Sequence, residues 1–255
     1  MALALNYAEY GAGPPIIILH GLFGSARNWH AIAQQLESTH RVYALDLRNH
    51  GNSPWHDSMT YYDLADDVLG FIEQHNLEQA VVIGHSMGGK VAMLLALQHQ
   101  ELVGTLIVVD VAPAPYQHSF VQYVQAMQGL NLSGLSRRDD ADEALRAEVP
   151  EPDVRLFLLQ NLAYKDKHFD WRINLPALSA NMAEITGFPN EVRNRIYFGK
   201  TLVIRGGQSI YVQPEHYRTI YALFPNAGIT VIPNAGHWVH ADQPAALVGA
   251  IRAIL

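Results

Sequence analysis

Short apolar runs alternate along this chain with longer stretches in which apolar positions recur every three or four residues. The runs are IIIL (16–19), VYALDL (42–47), AVVIG (80–84), TLIVVDV (105–111), TLVIRG (201–206) and ITVIP (229–233). Each is short, rich in aliphatic residues and bounded by turn formers, which predicts buried strands. Residues 25–37, 60–76, 86–99, 214–224 and 243–255 carry helical spacing, with Ser25 and Thr60 as N-caps and Pro214 and Pro244 suited to first turns. Strands and helices alternating in this way build a mostly parallel central sheet with helices on both faces. LALNYAEYG (3–11) reads as one more strand, turning at Gly11.

The alternation stops at residue 113. From there to 198 the chain shows helical patterns such as SFVQYVQAMQGL and DVRLFLLQNLAY and no strand-like run, with Pro113, Pro115, Pro150, Pro152 and Pro189 marking bends and helix starts. The expected organisation is an α/β core made of residues 1–112 and 199–255, interrupted by a helical cap at 113–198. No internal repeat or low-complexity segment is visible.

Composition narrows the function. Hydrophobic residues make up 49% and charged residues 16% of 255 residues, the balance of a compact enzyme rather than a disordered chain. A net charge of −7 opposes binding to a phosphate backbone, and the Arg137–Arg138 pair is followed at once by Asp139 and Asp140. Nucleic acid is therefore not an expected partner. Cysteine is absent, which removes disulfides, thiol nucleophiles and cysteine-based zinc sites. The N-terminus lacks the basic and apolar segments of a signal peptide, and no run reaches the roughly 20 apolar residues of a membrane span, so a cytoplasmic protein without stable membrane insertion is expected.

The chemistry concentrates in two segments. VVIGHSMGGKVAMLLA (81–96) reads as strand, Gly-x-Ser-x-Gly turn and helix in immediate succession. Gly84 and Gly88 leave room for a sharp reversal that holds Ser86 in a strained conformation with its hydroxyl exposed, while the helix start offers dipole and free N–H groups. Ser86 is the candidate nucleophile. One oxyanion donor is then the N–H of Met87, and the His-Gly-x-x-Gly turn in IIILHGLFGSARNW (16–29) supplies the second from Leu22, with Phe23 as the alternative. His20 reads as a brace for that turn. In NAGHWVHADQP (234–244), between the last strand and the last helix, His237 is the candidate general base, with His240 as its local rival. A two-histidine metal site lacks a third ligand, and no metal or cofactor is expected.

Six segments, HGLFGS, DLRNHGNSP, GHSMGGKVAM, VVDVAP, RGGQSIYV and AGHW, together resemble the α/β-hydrolase superfamily, and most nearly its small YbfF-type esterases. FDWRINLPAL (169–178) in the cap is similar to theirs as well. Chain order in that fold runs nucleophile, acid, histidine, and the acid belongs at a strand's C-terminal edge. Two turns qualify; Asp110 closes one, and Ser209 occupies the other where a carboxylate is often found. The resemblance thus implies that Asp110 is the acid and that Ser209 is a fourth member, bonding the acid–base pair without charge. Asp242 follows His237, breaks the order and reads as a cap of the final helix. Asp46, Arg48, Asn49 and Ser53 are expected to lock neighbouring loops. The likeness implies a serine esterase or thioesterase acting on small acyl esters through an acyl-enzyme, with Phe23, Tyr116, Met182, Phe188 and Trp238 as candidate pocket residues. The same fold hosts perhydrolases, haloperoxidases, carbon–carbon bond hydrolases and ligand receptors, which stay open at this point, as does oligomeric state.

Overall fold

The computed structural model describes residues 2–117 and 120–255. Among the described residues nine strands form, β1 (Tyr7–Tyr10), β2 (Pro15–Leu19), β3 (Arg41–Leu45), β4 (Ala80–His85), β5 (Val103–Val109), β6 (Leu162–Lys165), β7 (His168–Trp171), β8 (Lys200–Gly206) and β9 (Ala227–Ile232). Seven of them make one sheet in the order β1-β3-β2-β4-β5-β8-β9. Only β1 runs antiparallel, placing Tyr7 opposite Leu45; the other pairings are parallel. Every predicted core strand is present.

Side chains of a strand alternate between faces, and both faces here are apolar. Ile17, Leu19, Val82, Leu106 and Val108 join one core, with Leu64, Val68 and Phe71 of α2 (Tyr61–Gln74) and Val91, Leu94 and Leu95 of α3 (Met87–Gln98). Ile16, Ile18, Ile83, Ile107 and Val109 join the other, against Ile32 and Leu36 of α1 (His30–Leu36) and Leu247, Val248 and Ile251 at the C-terminal end. Each such side chain contributes roughly 1.5–3 kcal/mol on burial, which fixes register because a one-residue slip would exchange the two cores. Thr60 caps α2 by accepting from Asp63 N–H at 3.1 Å. The predicted 25–37 helix divides into a single 3₁₀ turn, Ala26–Trp29, followed by α1.

Between β5 and β8 lie α4 (Val121–Gly129), α5 (Arg138–Leu145), α6 (Pro152–Leu159), α7 (Leu175–Ala180) and α8 (Met182–Thr186). Ser119, the first residue of the helical pattern read there, lies outside the described residues. The expectation of no strand in this stretch is wrong: β6 and β7 pair as an antiparallel hairpin. Asp166 and Lys167 turn it with φ of 50° and 67°, the conformation a two-residue hairpin demands and glycine or asparagine usually supplies. Strands of four residues, with Leu162 and Phe169 as their buried residues, give too little alternation to read. The C-terminal part adds α9 (Tyr217–Leu223), α10 (Val239–Asp242) and α11 (Pro244–Ile254). Among the described residues no helix is long and apolar enough to cross a membrane.

Candidate active site

Ser86 stands alone between the end of β4 and the start of α3, with φ 51° and ψ −118°. A β-carbon on Gly84 would lie 2.2 Å from the Gly88 carbonyl oxygen, and one on Gly88 would lie 2.4 Å from that of Leu19. Only glycine permits so close an approach of backbones. The strain at Ser86 is of order 1–3 kcal/mol and is held by the surrounding sheet; Ser86 N–H donates to the Val109 carbonyl at 3.0 Å.

Asp110 follows β5 with φ 53° and is completely buried. Its Oδ1 accepts from Gly206 N–H at 2.9 Å, and its Oδ2 accepts from His237 Nδ1–H at 2.7 Å and from the Ser209 hydroxyl. A buried carboxylate with these donors is compensated rather than stranded. Because it only accepts, it assigns the His237 proton to Nδ1 and leaves Nε2 bare, facing Ser86 Oγ at 3.0 Å. Ser209 Oγ in turn accepts from Tyr211 N–H at 3.2 Å. Ser86, His237, Asp110 and Ser209 are thus one hydrogen-bonded chain, in which a hydroxyl proton can pass to an oriented imidazole.

The neighbouring histidines are placed for support. His240 stacks on Trp29 at 4.9 Å and does not reach Ser86; burial and the nearby His237 push it down to about 4. His85 Nε2–H donates to the His237 carbonyl at 2.8 Å, and burial holds this ring neutral. His20 braces its turn as expected, with Nδ1–H donating to the Gly21 carbonyl at 2.8 Å and Nε2 accepting from Leu47 N–H at 3.0 Å. Asp46 accepts from the N–H groups of Ala26 and Asn52, Ser53 donates to the Asp46 carbonyl, Arg48 grips Asp67 through two nitrogens, and Asn49 accepts from His56 N–H. Asp242 departs from expectation. Its carboxylate accepts from Gly236 N–H at 2.8 Å, bracing the loop that carries His237 rather than capping α11.

Among the described residues no partner engages the N–H of Leu22 or Met87, the two predicted oxyanion donors. Phe23 has φ 62°, and its carbonyl accepts from Asn161 at 2.8 Å. A cavity of about 200 Å³ opens beside Ser86 and His237, walled by Leu22, Phe23, Tyr123, Phe157, Tyr211 and Trp238 among others. A second of about 20 Å³ also touches Ser86 and shares Leu22, Phe120 and Tyr211 with the first, next to Met87, Lys90, Tyr116 and Ile185. Phe23, Tyr116 and Trp238 therefore reach the site. Met182 and Phe188 do not: Met182 is buried in the core on α8, and Phe188 lines a separate cavity beside Arg218 and Leu223.

Sequence reasoning passed over Tyr211 and Lys90. The Tyr211 ring stacks on His237 with centroids 3.7 Å apart and planes 15° from parallel, and the Tyr211 carbonyl accepts from Tyr116 O–H at 2.7 Å. Lys90, one helical turn after Ser86, donates to the carbonyls of Thr186 and Gly187, lies 4.7 Å from the Tyr116 ring centroid, and is pushed down to about 7 by burial. Its i+4 spacing from Ser86 was the available signal.

A mostly parallel sheet that delivers serine, aspartate and histidine in that chain order, at the C-terminal ends of its strands, has the architecture of a serine hydrolase of the α/β type. The profile of the α/β hydrolase fold family matches residues 14–244, and the chain belongs to that family. It is 40% identical over 251 residues to the sn-1-specific diacylglycerol lipase ABHD11 of Mus musculus, covering 95% of this chain and 81% of that protein. It is 34% identical over 242 residues to esterase YbfF of Escherichia coli K12, covering 94% and 92%. The solved structure of a marine microorganism esterase superposes with a TM-score of 0.96 at 35% identity, covering both chains completely.

Proposed function

We propose that this protein hydrolyses carboxylic esters through an acyl-enzyme on Ser86. It is an ester-bond hydrolase, and the observation that carries the serine route is the continuous bonding from Ser86 Oγ through His237 to Asp110, at 3.0 and 2.7 Å. Ser86 Oγ bonds to the ester carbon as its proton moves to His237 Nε2. The carbonyl oxygen, now negative, is held by the N–H groups of Leu22 and Met87, each contributing about 3–4 kcal/mol to the transition state. His237 then gives its Nε2 proton to the leaving alcohol oxygen, and the alcohol departs. A water repeats the sequence and frees the acid.

Asp110 holds the tautomer and stabilises the imidazolium; Ser209 holds Asp110. Residues 113–198 act as a cap, contributing Tyr123, Phe157 and Leu158 to the wall of the larger cavity. That wall is mainly apolar, which suits an ester with an apolar body. Thioesters share the same route, since thiolate replaces alkoxide without changing the proton path.

Ser86→Ala tests the reading. Steady turnover of p-nitrophenyl acetate is expected to vanish while the thermal melt stays in place, and a fluorophosphonate should label the parent protein at Ser86 alone. Turnover retained by the variant refutes the assignment. A ligand receptor with a slow triad would instead give one burst and stall.

A further inference from the structure

Tyr116 lies outside the hydrogen-bonded chain of Ser86, His237, Asp110 and Ser209, yet its hydroxyl joins two of the segments that carry that chain. The oxygen accepts from Ala112 N–H at 2.8 Å, two residues beyond Asp110, and the O–H donates to the Tyr211 carbonyl at 2.7 Å, two residues beyond Ser209. An amide only donates and a carbonyl only accepts, so the hydroxyl proton belongs to the bond with Tyr211. Burial pushes the phenol up, which keeps that proton in place. β5 and β8 pair as far as Val109 and Ile204, and Asp110 N–H reaches the Ile204 carbonyl; past that point the ladder ends and side chains must hold the two exits together. Tyr116 is itself anchored away from its hydroxyl. Its N–H donates to the Thr186 carbonyl at 3.0 Å, the same carbonyl that accepts from Lys90, and its ring centroid lies 4.7 Å from the Lys90 ammonium.

We propose that Tyr116 is a positioning residue: by clamping the Tyr211 carbonyl to the exit of β5, its hydroxyl keeps the Tyr211 ring pressed on His237. The imidazole's bonds to Asp110 Oδ2 and Ser86 Oγ, at 2.7 and 3.0 Å, leave it free to rock about the line joining those two partners. A ring stacked on its face at 3.7 Å, with planes 15° from parallel, removes that freedom. Proton transfer needs donor and acceptor aligned as well as close, so a rocking base lowers kcat without weakening substrate binding. The hydroxyl's single proton is committed to a backbone carbonyl, so Tyr116 is not a donor to substrate. This assignment rests on the ester-hydrolase reading and adds to it a residue that acts on the base through Tyr211.

Tyr116→Phe deletes one oxygen and keeps the ring that lines the small cavity. With p-nitrophenyl acetate, kcat is expected to fall by about three- to tenfold, the scale of one buried hydrogen bond, while KM stays within about twofold of the parent. A double-mutant cycle shows whether the effect travels through Tyr211. In a Tyr211→Leu background no ring is left to hold, and adding Tyr116→Phe should lower kcat by less than about twofold. The full single-mutant loss recurring in that background overturns the assignment, as does a parental kcat in folded Tyr116→Phe. A raised KM at unaltered kcat would make Tyr116 a substrate contact instead and overturns it too. Tyr211→Leu decides even where Tyr116→Phe does not fold: if it leaves kcat unaltered, the clamp has nothing to act through and the proposal fails. A parent enzyme that turns over p-nitrophenyl acetate, beside a Ser86→Ala variant that does not, keeps the ester-hydrolase reading in place whichever way the cycle falls.

Discussion

Replacing Asp110 by asparagine tests the acid–base pair at its least adaptable point. The amide has two orientations in the pocket. If its oxygen takes the place of Oδ2, the NH₂ group faces Gly206 N–H, a backbone donor 2.9 Å away that cannot turn, and one buried donor loses its acceptor. That costs about 1–3 kcal/mol. If the NH₂ group instead takes the place of Oδ2, it faces His237 Nδ1 and the Ser209 hydroxyl, both of which can adapt. The hydroxyl rotates to accept, and the imidazole moves its proton to Nε2. The second orientation wins. His237 then presents an N–H to Ser86 Oγ and cannot take its proton. The comparable substitution in a serine protease lowers kcat about 10⁴-fold through the wrong tautomer. Here a loss of about 10³–10⁴ in kcat is expected, equivalent to about 4–5.5 kcal/mol of barrier. The assay is steady-state hydrolysis of p-nitrophenyl acetate near neutral pH, with a thermal melt to verify folding. Asp242→Asn is the control, because its remaining carbonyl oxygen can still accept from Gly236 N–H, and it should stay within about threefold of the parent. A folded Asp110→Asn protein that retains a tenth of the parent kcat, or Asp242→Asn being the more damaging change, refutes the assignment of the acid.

Ser209→Ala removes one donor to Asp110 Oδ2 and should lower kcat by about tenfold, the scale of a single hydrogen bond; an unaltered kcat would reduce Ser209 to a turn residue. Tyr211→Leu removes the ring stacked on His237 and should lower kcat by up to about tenfold in p-nitrophenyl acetate hydrolysis; an unaltered kcat would deny the stack a part in catalysis. His50 is buried beside His20, donates from Nδ1 to the Arg48 carbonyl and is pushed down to about 3 by burial. Below pH of about 6.5 the unfolded chain binds a proton there that the folded chain refuses, so stability should fall by about 1.4 kcal/mol per pH unit from that residue as pH drops toward 3. Denaturant midpoints of His50→Gln against the parent between pH 7 and 4 measure this, and parallel curves would contradict it.

How much of this was legible depends on how local each cause is. The inner strands β2, β3, β4, β5 and β8 were readable because they are buried on both faces and therefore almost uniformly apolar, and Ser86 was readable because its cramped turn needs Gly84 and Gly88 at fixed offsets. Asp110 became readable only through chain order, since a strand-end aspartate has no local mark of its role. The β6–β7 hairpin was missed because Asp166 and Lys167 adopt positive φ without a glycine to announce it. Phe188 was misplaced because membership of the 113–198 stretch says nothing of which way a side chain faces, and the same holds for Met182. Tyr211 escaped notice because its partner, His237, is brought to it by the adjacent β8–β9 pairing and not by any spacing.

Three of the residues at the site, Ser86, Asp110 and Phe23, sit at φ between 51° and 62° without being glycine. Each follows a strand end on neighbouring members of the sheet, β4, β5 and β2, so the strain is borne where hydrogen-bonding ladders on both sides resist relaxation. Relief would come most easily at Asp110, which has no flanking glycine, were it not that its N–H donates to the Ile204 carbonyl at 2.7 Å and its carboxylate is pinned by Gly206 N–H. The backbone of β8 therefore does for the acid what the two glycines do for the nucleophile: it makes the unfavourable conformation the cheapest one available. It follows that the geometry between Ser86 and His237 is set by the pairing of β4, β5 and β8 more than by the side chains themselves, which is why a sheet buried on both faces is a requirement of this chemistry.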